Sequence, residues 1–274
     1  MTVGQTYWKT DRYITNWEEF DAAVRTPGHP LLHRLDDFPH AVLVTGCQRS
    51  GTTMLTRLIT ESEPMVNYWF GPDDELDGAL ILSGYVDHIP AGRYCFQTTY
   101  VNNHQHEYYQ HNAGHKVIFL LRNPLSVVYS MLYNWRPRAL DRIFGFCGIG
   151  QLHGLDRQRY RLFGIRGISK LRRACYGYTG KVAQVFELRR RLTAEQLLVI
   201  DYDELVTHKA QLLPLIYRFI DLPYQEEYAA QIHARSMSNV QKLSGREIAT
   251  IQRFCKPIYQ KASALRTPLT MGSY

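Results

Sequence analysis

The feature that most constrains this chain is the stretch from residue 41 to residue 60, AVLVTGCQRSGTTMLTRLIT. It opens with a short β-branched, apolar run, which predicts a buried strand, and it closes with apolar residues at helical spacing. Between them, Gly46 and Gly51 bound a loop with the spacing of a phosphate-binding P-loop. Glycines let backbone N–H groups turn toward an anion, and the start of a helix adds its own free N–H groups. The stretch therefore predicts a phosphate site between a strand and a helix.

The position after the second glycine separates two kinds of P-loop. A nucleotide-hydrolysing P-loop has Lys there to reach the β- and γ-phosphates, whereas this chain has Thr52 and carries its cation at Arg49. The run Arg-Ser-Gly-Thr-Thr resembles the 5′-phosphosulfate loop of sulfotransferases, which use PAPS (3′-phosphoadenosine 5′-phosphosulfate) as donor. By that resemblance Arg49 also stabilises the leaving group during catalysis, and the cofactor-binding loop residues are Arg49, Ser50, Gly51, Thr52 and Thr53.

A second phosphate motif lies further along the chain. Residues 116–121 predict a buried strand that Arg122 ends, and Pro124 suits the first position of the following helix. That helix carries Ser130. Arg offers a planar fork of donors to a phosphate, and a hydroxyl in the adjoining helix can reach the same oxygens. The pattern resembles the sulfotransferase 3′-phosphate motif, which implies that Arg122 and Ser130 bind the 3′-phosphate.

The catalytic base has to be sought elsewhere, because the usual histidine is missing. Cytosolic small-molecule sulfotransferases end a core strand in Lys-Thr-His, and here the predicted strand 93–100 has Gln97 and Thr99 at the Lys and His positions. Related enzymes often use a carboxylate from the segment after the P-loop helix. We favour Glu75 over Asp74 as the base, and a charged surface turn is the alternative. The full set of candidates is Asp73, Asp74, Glu75 and, as a secondary one, His104.

The C-terminal part of the chain adds weaker candidates for cofactor binding. In related enzymes the loop before a C-terminal helix closes over the adenosine phosphates, and a solvated loop is the alternative here. The polar residues of that loop are Ser236, Ser238, Lys242 and Arg246. The histidines between residues 104 and 115 lack the Cys or carboxylate partners of a metal site, so no metal is expected.

Composition narrows the choice of partners. The net charge of +7 favours an anionic partner, and a PAPS site needs several positive groups, so no nucleic acid is required. Residues 136–191 are rich in arginine, which predicts an anionic acceptor groove, a lipid-surface contact, or solvated helix faces. Five scattered cysteines favour reduced thiols. Without a visible secretory signal or an apolar run of roughly 18 residues, we expect a cytoplasmic protein, or one peripheral to a membrane.

The succession of apolar strands and amphipathic helices predicts an α/β fold, a three-layer sandwich with a parallel central sheet. The cofactor is expected across the carboxyl ends of the strands. We interpret residues 1–274 as one domain, with residues 1–40 as a lead-in packed on the core. The resemblance, over roughly residues 40–260, implies the P-loop-like sulfotransferase fold and sulfuryl transfer from PAPS to a hydroxyl of a carbohydrate, lipid or natural product. The alternatives are a P-loop kinase or NTPase with a displaced basic residue, and a non-catalytic module that binds PAPS or its product PAP.

Overall fold

The computed structural model describes residues 6–8, 13–88, 92–100, 105–111, 113–232 and 237–267. Six strands lie in these ranges: β1 (Thr6–Trp8), β2 (Val42–Gly46), β3 (Val86–His88), β4 (Cys95–Gln97), β5 (Lys116–Leu121) and β6 (Leu197–Asp201). Four of them form a parallel sheet in the order β4-β2-β5-β6, and β1 pairs with β3 in a separate antiparallel ribbon. Parallel strands need crossover connections, and helices supply them.

The helices cover both faces of this sheet. They are α1 (Trp17–Phe20), α2 (Thr52–Thr60), α3 (Asp74–Leu82), α4 (Pro124–Tyr133), α5 (Pro137–Ile143), α6 (Gly154–Phe163), α7 (Lys170–Arg191), α8 (Tyr202–Thr207), α9 (Lys209–Phe219) and α10 (Gly245–Ser263). None of the described helices is long and apolar enough to cross a membrane.

The side chains of the buried strands point alternately to the two faces of the sheet, and this divides the hydrophobic core into two parts. Leu43 and Phe119 contribute to one cluster, which also holds residues of α3, α4, α7 and α10. Val44 and Ile118 contribute to the other, with residues of α2, α8 and α9. Because side chains of a strand point alternately to opposite faces, each face of the sheet is covered by its own helical layer. The predicted three-layer α/β fold with a parallel central sheet is therefore confirmed.

Several predicted elements differ from the observed ones. The strand expected over residues 93–100 is only three residues long, and the stretch that holds glycines 145, 148, 150 and 154, a composition typical of loops, is partly helical. The helical turn Phe144–Gly148 packs against α7, where a Cβ at Gly180 would lie 2.1 Å from the Cys147 carbonyl oxygen. The glycine at position 180 of α7 thus permits a close helix-to-helix approach.

Residues 13–40 pack on the central part of the chain. Phe20, Leu32 and Phe38 are almost completely buried and belong to the same cluster as Leu43. The buried carboxylate of Glu107 accepts hydrogen bonds from the backbone N–H groups of residues 31 and 32. This packing brings α1 to the carboxyl ends of the strands, where the candidate site lies.

Candidate active site

The predicted phosphate loop lies between β2 and α2 with little space around its backbone. A Cβ at Gly46 would lie 2.4 Å from the Leu120 carbonyl oxygen, and one at Gly51 would lie 2.1 Å from the ring of Tyr202. Gly51 has φ = 91°, and Arg49 also adopts a left-handed conformation with φ = 71°. No acidic residue occupies the first turn of α2, so its positive dipole end is not neutralised within the helix. This geometry suits an anion held by backbone N–H groups.

The two phosphate motifs meet in space. Arg49 Nε donates a hydrogen bond to Ser130 Oγ at 2.9 Å, and Arg122 Nη1 donates to the backbone carbonyl of Arg49 at 2.9 Å. Partial burial and the nearby charge of Arg122 lower the pKa of Arg49. Two guanidinium groups and a hydroxyl thus lie beside the loop, in a position to neutralise phosphate or sulfate oxygens.

Arg122 is fixed from several sides. Its side chain is 6% exposed, its Nε lies 3.5 Å from Asp203 Oδ1, and its guanidinium covers the ring of Tyr202 at 4.5 Å. The hydroxyl of Tyr178 donates to its backbone carbonyl at 2.8 Å. A guanidinium held this firmly loses little entropy when it binds an anion.

Of the remaining candidates for cofactor binding, some line the cleft and others do not. Thr52 and Thr53 line the same cleft as Arg49, whereas Ser50 is fully buried and its hydroxyl has no partner among the described residues. Lys242 is exposed and donates to Asn239 Oδ1 at 3.0 Å. The side chain of Ser238 lies outside the described part of the chain, as do Ser236 and His104.

Glu75 lies in the first turn of α3 and reaches the end of β4. Its carboxylate accepts hydrogen bonds from Gln97 Nε2 at 2.7 Å, from the Tyr100 backbone N–H at 2.8 Å, and from the Thr99 hydroxyl. Burial raises the pKa of Glu75 to about 7, against the opposing effect of the hydrogen bond from Thr99. A carboxyl group with this pKa can exchange a proton near neutral pH.

The two residues before Glu75 have other partners. Asp73 caps α3 by accepting from the Leu76 N–H at 3.2 Å, and it accepts from Trp17 Nε1 at 2.9 Å. Asp74 forms an ion pair with Arg57 at 2.8 Å and does not line the cleft. The cap fixes where α3 begins, and successive helical residues point about 100° apart, so Glu75 and Asp74 face different ways.

A buried lysine, which sequence reasoning had grouped with the basic segment, supports the base candidate. Lys181 of α7 is completely buried, and its Nζ donates to the Thr99 backbone carbonyl at 2.6 Å. Gln48 Nε2 donates to the same carbonyl at 3.0 Å. Burial lowers the pKa of Lys181, and its positive charge lowers that of Glu75. A signal existed in the sequence, since Lys181 lies one helical turn from the apolar Tyr178 and Val185.

Arg49, Arg122, Ser130 and Glu75 border one cleft of about 1540 Å³, which is larger than a typical small-ligand pocket. The rings of Trp17 and Tyr100 stack at its edge, with centroids 3.8 Å apart and an interplanar angle of 8°. Arg136 and Arg138 are exposed and also line the cleft. The volume can hold a nucleotide and a second molecule together. In the described part of the chain, no group of His, Cys, Asp and Glu is arranged to hold a metal ion.

Comparison with known proteins identifies the family to which this chain belongs. The sequence model of the sulfotransferase domain matches residues 39–258. A search of curated proteins found no match. Among solved structures, the chain is similar to a sulfotransferase domain from the curacin biosynthetic pathway, at 16% identity and a TM-score of 0.48, with 86% of this chain and 94% of that chain covered. It is similar to a sulfotransferase from Alicyclobacillus acidocaldarius at 14% identity and a TM-score of 0.45, with 81% and 98% covered. Mouse sulfotransferase SULT7A1, solved with PAP, has 14% identity and a TM-score of 0.37, with 80% and 74% covered.

Proposed function

Because the chain belongs to the sulfotransferase family, we propose that it transfers a sulfuryl group from PAPS to a hydroxyl group, with Glu75 as the catalytic base. The observation that carries this proposal is the cleft shared by the Arg49–Ser130 pair and Glu75. This cleft would place a cationic phosphate site beside the bound PAPS and a proton acceptor beside the bound hydroxyl compound.

The cofactor assignment follows the two phosphate motifs. The 5′-phosphosulfate would bind the loop from Gly46 to Thr53, and the 3′-phosphate would bind Arg122 and Ser130. The hydrogen bonds that join Arg49, Ser130 and Arg122 support this, since the two anionic groups of one nucleotide would meet neighbouring donors. Lys242 and Ser238 complete the proposed set from the C-terminal loop.

The reaction needs one proton acceptor and one site for developing negative charge. The acceptor oxygen forms a bond to sulfur while the bond from sulfur to the bridging phosphate oxygen breaks, and the bridging oxygen leaves with PAP. Arg49 would stabilise the charge on that oxygen. Glu75 would take the hydroxyl proton, and its pKa of about 7 leaves it substantially ionised at neutral pH.

We propose a carbohydrate, lipid or natural-product hydroxyl as the acceptor. The half-buried ring of Trp17, which stacks on Tyr100, offers a flat apolar surface in the same cleft as Glu75. Arg136 and Arg138 lie in the same cleft and would favour an acceptor that carries negative charge.

Calorimetric titration with PAP, ADP and magnesium-ATP tests the cofactor assignment. We expect PAP to bind at least about tenfold more tightly than ADP, since hydrogen bonds to a charged phosphate are worth about 1.5–3 kcal/mol each. A Ser130→Ala variant should lose most of that preference and keep its affinity for ADP. Equal or tighter binding of magnesium-ATP by the wild-type protein would contradict the proposal and favour a kinase.

A further inference from the structure

Helix α6 carries an unusual concentration of exposed apolar side chains. Among the described residues, six large hydrophobic side chains are exposed, and half of them lie on this one helix. Leu155 is 67% exposed, Leu162 is 75% exposed and Phe163 is 64% exposed. Leu155 and Leu162 are two helical turns apart and Phe163 adjoins Leu162, so we call these three residues the apolar stripe.

The buried side of α6 is held firmly. The buried carboxylate of Asp156 accepts hydrogen bonds from the guanidinium of Arg172 and from the Tyr176 hydroxyl, the latter at 2.9 Å. The ring of Tyr160 packs edge-on against Phe144 with centroids 5.9 Å apart. Because these contacts fix the rotation of the helix, the apolar stripe is held outward and cannot turn into the core.

Positive charge surrounds the apolar stripe. Three exposed arginines form what we call the basic rim: Arg159 and Arg161 of α6, and Arg166 of the turn that follows it. Helical spacing puts Arg159 on one side of Leu155 and Leu162 and Arg161 on the other. Arg157 lies about 160° round the helix from Leu155 and is not part of the rim. The acidic residue of α6, Asp156, is buried against Arg172, and within the rim it lies near Arg159 alone, at 3.8 Å. The surface is therefore apolar at its centre and cationic at its edges.

The combination of an apolar stripe and a basic rim favours one kind of binding partner over the others. A second copy of the chain would place one basic rim against another, and like charges repel. A nucleic acid would match the charge but would leave the apolar stripe against phosphates. A protein partner would need a cavity for each protruding side chain, whereas a lipid layer accepts apolar groups wherever they protrude. Leu and Phe on one side of a helix with Arg around them are typical of helices that lie in a membrane interface.

We propose that α6 binds the surface of an anionic phospholipid bilayer, with the apolar stripe in the headgroup–acyl boundary and the basic rim at the lipid phosphates. Arginine suits this position, since its aliphatic stem can lie along apolar groups while its guanidinium contacts phosphate. None of the residues of this surface lines the cleft, so the proposal is independent of the proposed sulfotransfer chemistry.

Co-sedimentation of the whole protein with vesicles tests the proposal. We expect binding to vesicles of phosphatidylcholine with phosphatidylglycerol, little binding to phosphatidylcholine alone, and weaker binding at high salt because surface charges are screened. Absence of binding to the anionic vesicles at low salt would overturn the proposal and favour an acidic protein as the partner.

Two sets of variants separate the rim from the overall charge of the chain. The variant Arg161→Gln/Arg166→Gln should bind roughly 25-fold more weakly, at about fivefold for each arginine near an anionic surface. Arg159, which lies 3.8 Å from Asp156, is left intact. The control Arg189→Gln/Arg190→Gln removes the same charge from an exposed run at the end of α7. An equal loss in the control would mean that net charge alone attracts the protein, against the proposal.

A further variant tests insertion of the apolar stripe. Leu155→Ser/Leu162→Ser/Phe163→Ser should reduce binding at least about tenfold, and it should fold normally because the three side chains are already exposed. Unchanged binding would contradict insertion. A fluorophore attached to Leu162→Cys can be read directly, since the five native cysteines are buried. Its emission should move to the blue on anionic vesicles only, and an unchanged spectrum in bound protein would also contradict the proposal.

Discussion

The two sides of the cleft are built in different ways. The side proposed to bind the phosphates, here called the phosphate side, comes from two short motifs, each a strand, a loop and a helix start. These motifs become neighbours because β2 and β5 are adjacent in the sheet. The side proposed to supply the base, here called the base side, is assembled from single residues of α3, the end of β4 and α7, joined through Glu75 and Thr99. A motif that is continuous in the chain can be recognised in a sequence, whereas a network of distant single residues becomes visible only in the fold.

The difference extends to electrostatics. On the phosphate side, Arg49 and Arg122 lie close together, so a bound anion would offset the repulsion between them, and Asp203 lies 3.5 Å from Arg122. On the base side, Glu75 is buried among three hydrogen-bond donors with Lys181 behind them, so its charge is balanced within the protein. We therefore expect changes on the phosphate side to affect cofactor binding and turnover together, and changes on the base side to affect turnover alone.

The largest effect is expected from Arg49→Ala. Loss of a charged group that stabilises the leaving oxygen should lower kcat/KM about 1000-fold, and PAP affinity should fall as well. Arg49→Lys keeps the charge and should retain most of both. Steady-state kinetics and calorimetry measure the two effects. If Arg49→Ala bound PAP as tightly as the wild-type protein, this would contradict the claim that the phosphate side controls cofactor binding.

Glu75→Gln should lower turnover without changing PAP affinity, in contrast to Arg49→Ala. Removing a general base lowers kcat by about 100-fold to 10,000-fold, while PAP affinity should stay unchanged. The new amide is accommodated if Gln97 rotates its side chain, because Gln97 Oε1 accepts no hydrogen bond among the described residues. A loss of PAP binding in this variant would break the distinction between the two sides.

The stability of the Glu75→Gln variant provides its control. The pKa of Glu75 in the folded protein is raised from 4.5 to about 7, so its ionisation weakens the fold progressively as pH rises through this interval. The cost is about 3 kcal/mol once the group is fully ionised, at roughly 1.4 kcal/mol for each unit. The variant should therefore be no less stable than the wild-type protein above pH 7, which denaturant unfolding can verify.

Lys181→Met should have an intermediate effect. The substitution removes the charge that lowers the pKa of Glu75, so that pKa should rise and activity below neutral pH should fall about tenfold for each unit of the rise. Gln48 still donates to the Thr99 carbonyl, which keeps the strand end in place. A pH profile that does not move, with a lower kcat at every pH, would show that Lys181 is only structural.

Asp74→Asn should have the smallest effect. Its ion pair with Arg57 involves a guanidinium that is 51% exposed, and such pairs contribute about 1 kcal/mol or less. We expect a slight loss of stability and unchanged kcat. As the neighbour of Glu75 with the same charge, Asp74 is a matched control, and a large loss of kcat in Asp74→Asn would move the base from Glu75 to Asp74.

Much of the fold and of the phosphate side could be predicted from the sequence. The P-loop spacing and the strand that ends in Arg122 are local patterns, and backbone geometry converts them into structure without reference to the rest of the chain. The match of the family to residues 39–258 agrees with the stated resemblance.

The base side could be predicted only in part, for a physical reason. Gln97 and Thr99 were interpreted as departures from a Lys-Thr-His pattern, yet both donate hydrogen bonds to Glu75. Residues two apart near a strand end can point to the same side, but which carboxylate they meet depends on the rotation of α3. That rotation depends on the Asp73 cap together with the hydrogen bond that Asp73 accepts from Trp17 of α1, and this second, long-range contact is not visible in a local pattern. Lys181 was missed for the same reason.

The pH dependence of kcat/KM for sulfuryl transfer from PAPS tests the central claim most directly. With an acceptor found by screening hydroxyl compounds, kcat/KM of the wild-type protein should rise through a single ionisation with an apparent pKa near 7, because Glu75 must be deprotonated to accept the hydroxyl proton. Asp74→Asn should keep this profile and Glu75→Gln should lose it. A wild-type profile that is flat across neutral pH, or one that survives in Glu75→Gln, would contradict the assignment of Glu75 as the base.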